Sequence, residues 1–206
     1  MRRLNCVMVV AIALCVSATA RGSMFNFDNG PFGSPLPINL TVDGVTAHFT
    51  ATGEGFSIQR ADTMGFTPVD FSGLCIYPSS VFMADLKVAF SPALTDFSIL
   101  YAPQELACDS SATMRVTAYT NGVFVGTSTM TAEAGTWPTA TLSLSSVAGF
   151  NSVVVHYDAP PPTGGDWGPI FMADNMKVTA VVPEPASLAL LGLGWSGAVL
   201  LSRRRR

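Results

Sequence analysis

Basic side chains are scarce where this chain has its bulk. Of the eleven Lys and Arg residues in 206, only Arg21, Arg60, Lys87, Arg115 and Lys177 fall between residues 21 and 180, against thirteen Asp and Glu. The middle of the chain therefore carries a net charge of about −8, which excludes nucleic acid as a partner, because a phosphate backbone needs a basic patch. Histidine is rarer still. His48 and His156 are the two present, and neither sits in a metal-ligand or nucleophile spacing such as H-E-x-x-H. No helical periodicity runs longer than a turn or two, and no internal repeat is found, so helical bundles and solenoids are excluded.

What is present sorts into two ends and a middle. Met1-Arg2-Arg3 is a basic start, residues 7–16 an apolar core and Ala18-Thr19-Ala20 a small-x-small cleavage site, so residues 1–20 read as a secretory signal peptide. At the other end, Val182-Pro183-Glu184-Pro185 precedes an apolar run over 186–201 and the cluster Arg203, Arg204, Arg205 and Arg206. Each proline fixes φ and disfavours helix in the residue before it, which keeps Glu184 on an extended segment and lets a helix begin only after Pro185. A helix over 186–201 spans roughly 24 Å, short of a hydrocarbon core of about 30 Å. The arginines cannot cross cheaply and fix the bulk of the chain outside. Gly192-Leu193-Gly194-Trp195-Ser196-Gly197 matches G-x-G-x-x-G, but no strand precedes it and no βαβ unit can follow, so it carries no dinucleotide reading.

The order of acidic Pro-Glu-Pro, membrane segment and basic stop resembles the PEP-CTERM sorting signal of exopolysaccharide-producing bacteria, the tail recognised by the membrane enzyme exosortase. The resemblance implies recognition through Pro183, Glu184 and Pro185, retention in the membrane by residues 186–201, and processing on the way to the envelope surface or extracellular matrix. Domain boundaries follow: 1–20 signal peptide, 21–181 exported domain, 182–206 sorting tail.

Export agrees with cysteine usage. Cys6 and Cys15 are lost with the signal peptide, leaving Cys75 and Cys108 as one pair in a compartment that permits disulfides. A Cys75–Cys108 bond is expected, with two free buried thiols as the alternative. The acidity of the domain keeps it soluble and gives it oxygen ligands for divalent cations.

The exported domain reads as short, alternating, turn-punctuated strands. Asn121-Gly122 joins two β-forming runs, 113–120 and 123–128, and both turn residues tolerate the positive φ of a type I′ hairpin. Further strands are expected at 40–42 and 45–51 around Asp43-Gly44, then at 55–59, 86–90, 97–101, 140–144, 153–157 and 170–179. This pattern predicts an all-β fold, a single β-sandwich of jelly-roll type, with the Pro-Gly-rich stretch 159–168 as a surface loop.

The phrases Phe25-Asn26-Phe27-Asp28-Asn29, Val42-Asp43-Gly44-Val45-Thr46-Ala47-His48-Phe49 and Phe171-Met172-Ala173-Asp174-Asn175-Met176-Lys177-Val178, with the hairpin, resemble carbohydrate-binding-type jelly rolls of exported bacterial proteins. The resemblance implies a structural calcium held by Asp28 and Asp174, with Asn29 or Asn175 as further oxygen donors; the alternative is that these are ordinary turn and edge residues. A sugar-binding surface needs exposed aromatics beside polar groups, and Trp167 with Asp166 and Tyr157 is the expected set, Trp137 being a further companion. Trp167 has a competing reading as a cap on the core. No nucleophile motif accompanies either histidine, so a non-catalytic domain is expected. Its partners are an exosortase, the membrane through the C-terminal helix, and exopolysaccharide. A purely structural or adhesive surface protein without a small ligand is the alternative; a hydrolase built on Glu54, Glu105 or Glu133 would need two of them to face each other in a cleft.

Overall fold

The computed structural model describes residues 22–65, 67–103, 112–133, 138–158 and 170–181. They belong to one compact unit, Ala20–Val181. The other unit, Met1–Thr19 with Val182–Arg206, holds the expected signal peptide and sorting tail and lies outside the described residues. Among the described residues no helix is long and apolar enough to cross a membrane.

The described residues form ten strands: β1 (Gly22–Phe25), β2 (Ile38–Val42), β3 (Val45–Ala51), β4 (Phe56–Arg60), β5 (Leu74–Pro78), β6 (Leu86–Pro103), β7 (Ala112–Thr120), β8 (Val123–Ala132), β9 (Ala140–Tyr157) and β10 (Phe171–Ala180). All pairings are antiparallel, and the main path runs β4-β5-β10-β6-β9-β7-β8, with β1 on β10 and β2-β3 joined to β6.

Two long strands turn this one sheet into two layers. The first part of β6, 86–91, pairs with β3 and with the end of β9; its second part, 94–103, pairs with β10 and with the start of β9. Register shifts at Ala89/Leu94 and Leu94/Asp96 mark the bend, where Pro92 interrupts the ladder and Gly149 takes φ +73°. A bend at a bulge lets one strand serve both layers. The first layer is therefore β2-β3-β6-β9-β7-β8 and the second β4-β5-β10-β6-β9, with β1 beside β10.

The apolar faces meet between the layers. Phe25 of β1 and Phe27 stand edge-on to Phe49 of β3, with ring centroids 6.2 and 5.4 Å apart. Tyr101 of the second layer donates its hydroxyl hydrogen to the Met130 carbonyl of the first at 2.8 Å. Burial alternates strictly where one face is solvated: Met114, Val116 and Ala118 of β7 point inward, and Val153, Val155 and Tyr157 of β9 do the same. A second, smaller apolar cluster lies on the outer face of the second layer, where the segment after β4 folds back. Ala61 and Phe71 there cover Cys75, Tyr77, Leu100, Ala102 and Met172.

This burial bears on the disulfide. Cys75 is a free, fully buried thiol, and the expected Cys75–Cys108 bond is not found; Cys108 itself lies outside the described residues. Its sulfur belongs to the small apolar cluster, and burial, then the nearby Asp174 charge, pushes the thiol far above its ordinary range. A thiol so held stays protonated and inert.

Candidate functional site

Asp28 and Asp174 both accept backbone hydrogens from one short segment, residues 72–74. Asp28 follows β1 in a tight turn, where Phe27 takes φ +60° and the Gly30 N–H donates to the Phe27 carbonyl at 2.7 Å. A bulky residue in the left-handed region is strained. Here the strain is offset by burying the Phe27 ring in the core, which leaves Asp28 turned outward. Asp28 Oδ1 accepts the Leu74 N–H at 2.9 Å and Oδ2 accepts from Asn26 Nδ2 at 3.0 Å. Gly73 makes the approach possible, since a Cβ there would sit 1.9 Å from Asp28 Oδ1.

Asp174 comes from the outward face of β10 and is almost wholly buried, at 1% exposure. Its Oδ2 accepts the Ser72 N–H at 3.3 Å and its Oδ1 the Asn175 N–H at 2.7 Å. β10 bulges just beyond it, between the pairs Asp174↔Leu100 and Lys177↔Ser98. Asn175 occupies the bulge with φ +49° and donates from Nδ2 to the Asp70 carbonyl at 3.1 Å; Asp70 itself has φ +66°. Of the five positive-φ residues other than glycine among the described residues, three stand at this place and the other two, Asp43 and Asn121, in hairpin turns.

Electrostatics make the arrangement costly as it stands. Burial, reinforced by the Asp28 charge against two backbone hydrogen bonds, pushes the Asp174 carboxyl up to about 7. A buried carboxylate with a second one near enough to raise its pKa is relieved by a cation or a proton. The donor set fits a hard cation: each carboxylate oxygen receives one N–H and keeps a second lone pair, and the Asp70 carbonyl and Asn175 carboxamide supply oxygen nearby. Among the described residues no group of three or more His, Cys, Asp and Glu is placed to hold a metal ion, so a cation here would depend on backbone and carboxamide oxygens beside the two carboxylates, which are calcium ligands and not zinc ligands.

The other expected site residues fare differently. Tyr157 is not a surface residue: it points inward from β9 with 2% exposure and belongs to the main core, because its odd-numbered register places it with Val153 and Val155. Trp167, Asp166, Trp137 and Glu105 lie outside the described residues. His48 pairs with Asn39 at 2.6 Å across β2-β3. His156 sits between Asp85 at 2.6 Å and Asp158 at 3.5 Å, and Arg115 clamps Asp158 with two bonds of 2.8 and 2.9 Å. Neither imidazole has a nucleophile among these partners. Ser72, Gly73 and Leu74, which bind the two aspartates together, were missed from sequence; the Ser-Gly pair before a buried strand was the available signal.

Residues 181–206 match the family described as the PEP-CTERM protein-sorting motif. No curated protein matches the chain by sequence. Among solved structures, the K2 cleaved adhesin domain of Lys-gingipain is 11% identical, covers 78% of this chain and 98% of its own, and superposes with a TM-score of 0.50. The K1 cleaved adhesin domain, from Porphyromonas gingivalis, is 17% identical over 79% of this chain and 99% of its own, with a TM-score of 0.46. A family 29 carbohydrate-binding module is 10% identical over 77% and 92%, with a TM-score of 0.36. At these identities the likeness to the K2 domain is one of fold alone. The sorting motif marks the chain as an exported protein, held transiently in the membrane and handled by an exosortase.

Proposed function

We propose that this exported chain is a non-catalytic surface or extracellular-matrix component whose β-sandwich, of jelly-roll type, binds exopolysaccharide and is stabilised by one calcium ion at Asp28 and Asp174. The observation that carries the reading is the sorting motif at 181–206 behind an acidic, compact β module. Pro183, Glu184 and Pro185 are the residues an exosortase reads, 186–201 the temporary anchor, and Arg203 to Arg206 the stop. Calcium is supported by the buried Asp174, which has Asp28 as a like-charged neighbour, and by the oxygen donors around both. The absence of catalysis is supported by the histidines, whose partners are an amide for His48 and two carboxylates for His156.

The test is fractionation of producing cells. The wild-type domain is expected in the matrix fraction with its tail removed, and to be released when exopolysaccharide is stripped. Glu184→Ala is expected to stay in the membrane fraction at full length. A wild-type domain that remains in the matrix after stripping would overturn the glycan part of the reading. A second reading, an adhesive protein without a small ligand, is favoured by Val81, Phe82 and Met83, three consecutive apolar side chains exposed on the loop before β6. Triple substitution to serine would then abolish matrix association, which the glycan reading does not expect.

A further inference from the structure

The outer face of the second layer carries a shallow groove unconnected with any residue singled out above for sugar binding. Two adjoining depressions, about 460 and 310 Å³, share Met24, Ser98 and Lys177. Strand register explains what lines them. One cross-strand row reads Met24, Lys177, Ser98, Ser143 across β1, β10, β6 and β9. The next reads Gly22, Thr179, Asp96, Ser145. Neighbours within a row stand about 4.8 Å apart and the rows about 6.7 Å apart, so hydroxyls and charges form a flat lattice on the pleat.

The chemistry of this lattice is specific. Asp96 is fixed as an acceptor: Ser145 Oγ donates to Oδ1 and Thr95 Oγ1 to Oδ2, both at 2.7 Å. These hydroxyl bonds hold its carboxyl below the usual range, so it is ionised at neutral pH. Lys177 is exposed and forms no ion pair among the described residues. Met24 is nearly half exposed, an apolar thioether on an otherwise polar surface. An acceptor, a donor and amphoteric hydroxyls around one apolar side chain match a sugar ring, whose vicinal hydroxyls both donate and accept and whose C–H face is apolar.

Resting on the glycan reading above, we infer that the groove between Met24, Lys177, Asp96 and Ser145 binds an uncharged hexose chain. Lys177 against Asp96, with Asp70 at the far end of the second depression, leaves the groove with a net charge of about −1, and the exported domain at about −8 repels polyanions as well. Uncharged units of the polysaccharide are thus the class it selects, and their binding is indifferent to salt.

The experiment applies the full-length protein, in an uncharged detergent without a sugar headgroup, to immobilised exopolysaccharide from the producer, native and carboxyl-reduced. Retention on both forms, unchanged by 0.5 M salt (about a 4 Å screening length), is expected. Lys177→Met and Asp96→Asn should each weaken it at least tenfold, and Ser143→Tyr, which fills the groove from an exposed position, should do so even if those two lose stability. Arg60→Gln, which does not line the groove, should bind as wild type. Retention undiminished in all three groove variants would overturn the groove and leave the glycan reading standing. Retention on the native form alone, lost in salt, would overturn the uncharged class. No retention of the wild type on either form would overturn both readings together.

Discussion

Asp174 answers two opposed demands. Its burial favours a proton, and its neighbours Asp28, Asp70 and Asn175 favour a hard cation. An unfolded aspartate titrates near pH 3.9, whereas this one titrates at about 7, so between those values the folded chain holds a proton that the unfolded chain has released. Stability from this group therefore falls as pH rises from about 4 to about 7 and is flat above. Asp62, Asp96 and Asp158 are shifted the other way by Arg60, by Ser145 with Thr95, and by Arg115; their stability is lost only as pH falls below about 4, outside that window. In chelator, thermal melts should show a higher midpoint at pH 5.5 than at pH 8, and millimolar calcium should raise the pH 8 midpoint, since a metal ligand must be deprotonated. Asp174→Asn should remove both the slope and the calcium response. A melt at pH 8 that ignores calcium would refute the metal centre. Gly73 provides a second check: Gly73→Ala places a Cβ against Asp28 Oδ1 at φ +58°, and a loss of at least about 1 kcal/mol in denaturant unfolding is expected, with the calcium shift lost.

At the scale of elements, legibility followed solvent exposure. The Asn121-Gly122 hairpin was readable because both residues have positive φ, 51° and 82°, and its strands alternate; Asp43-Gly44 repeats the same turn at 49° and 82°. Replacing Gly122 by alanine should cost about 1 kcal/mol in the same unfolding assay without altering the fold. β5 was not readable. Its residues are buried on both faces, Ile76 in the main core and Cys75 with Tyr77 under the 61–73 segment, so no alternation marks it. Neither was the fusion of 86–90 with 97–101, or of 140–144 with 153–157, because Pro92 and Gly149 look like strand ends yet stand at the bends of β6 and β9. Of the candidate site, Asp28 and Asp174 were paired only by what the resemblance to carbohydrate-binding jelly rolls implies, and the segment that hydrogen-bonds both of them depends on a loop whose path no local pattern fixes. The free thiol at Cys75 has the same origin: cysteine parity implies a partner, but the apolar cluster that encloses the sulfur is assembled from four separate parts of the chain.

At the scale of the whole molecule, an acidic β-sandwich precedes a tail that matches a sorting motif of exported proteins, and its surfaces decide what it can bind. The two outer sheet faces differ. That of the first layer holds His48, Lys87, Arg115 and His156, with Arg115 paired to Asp158 and His156 in contact with Asp85 and Asp158; that of the second holds the serine-rich groove beside the candidate calcium centre, which shares Asn175 and Asp70 with it. If calcium orders the 61–73 segment and the β10 bulge, it also sets one end of the groove. The most direct measurement is retention of the wild-type protein on its producer's exopolysaccharide, with millimolar calcium and with chelator at pH 8. The account predicts retention in calcium and at least a several-fold loss in chelator; absence of retention in both buffers would contradict it.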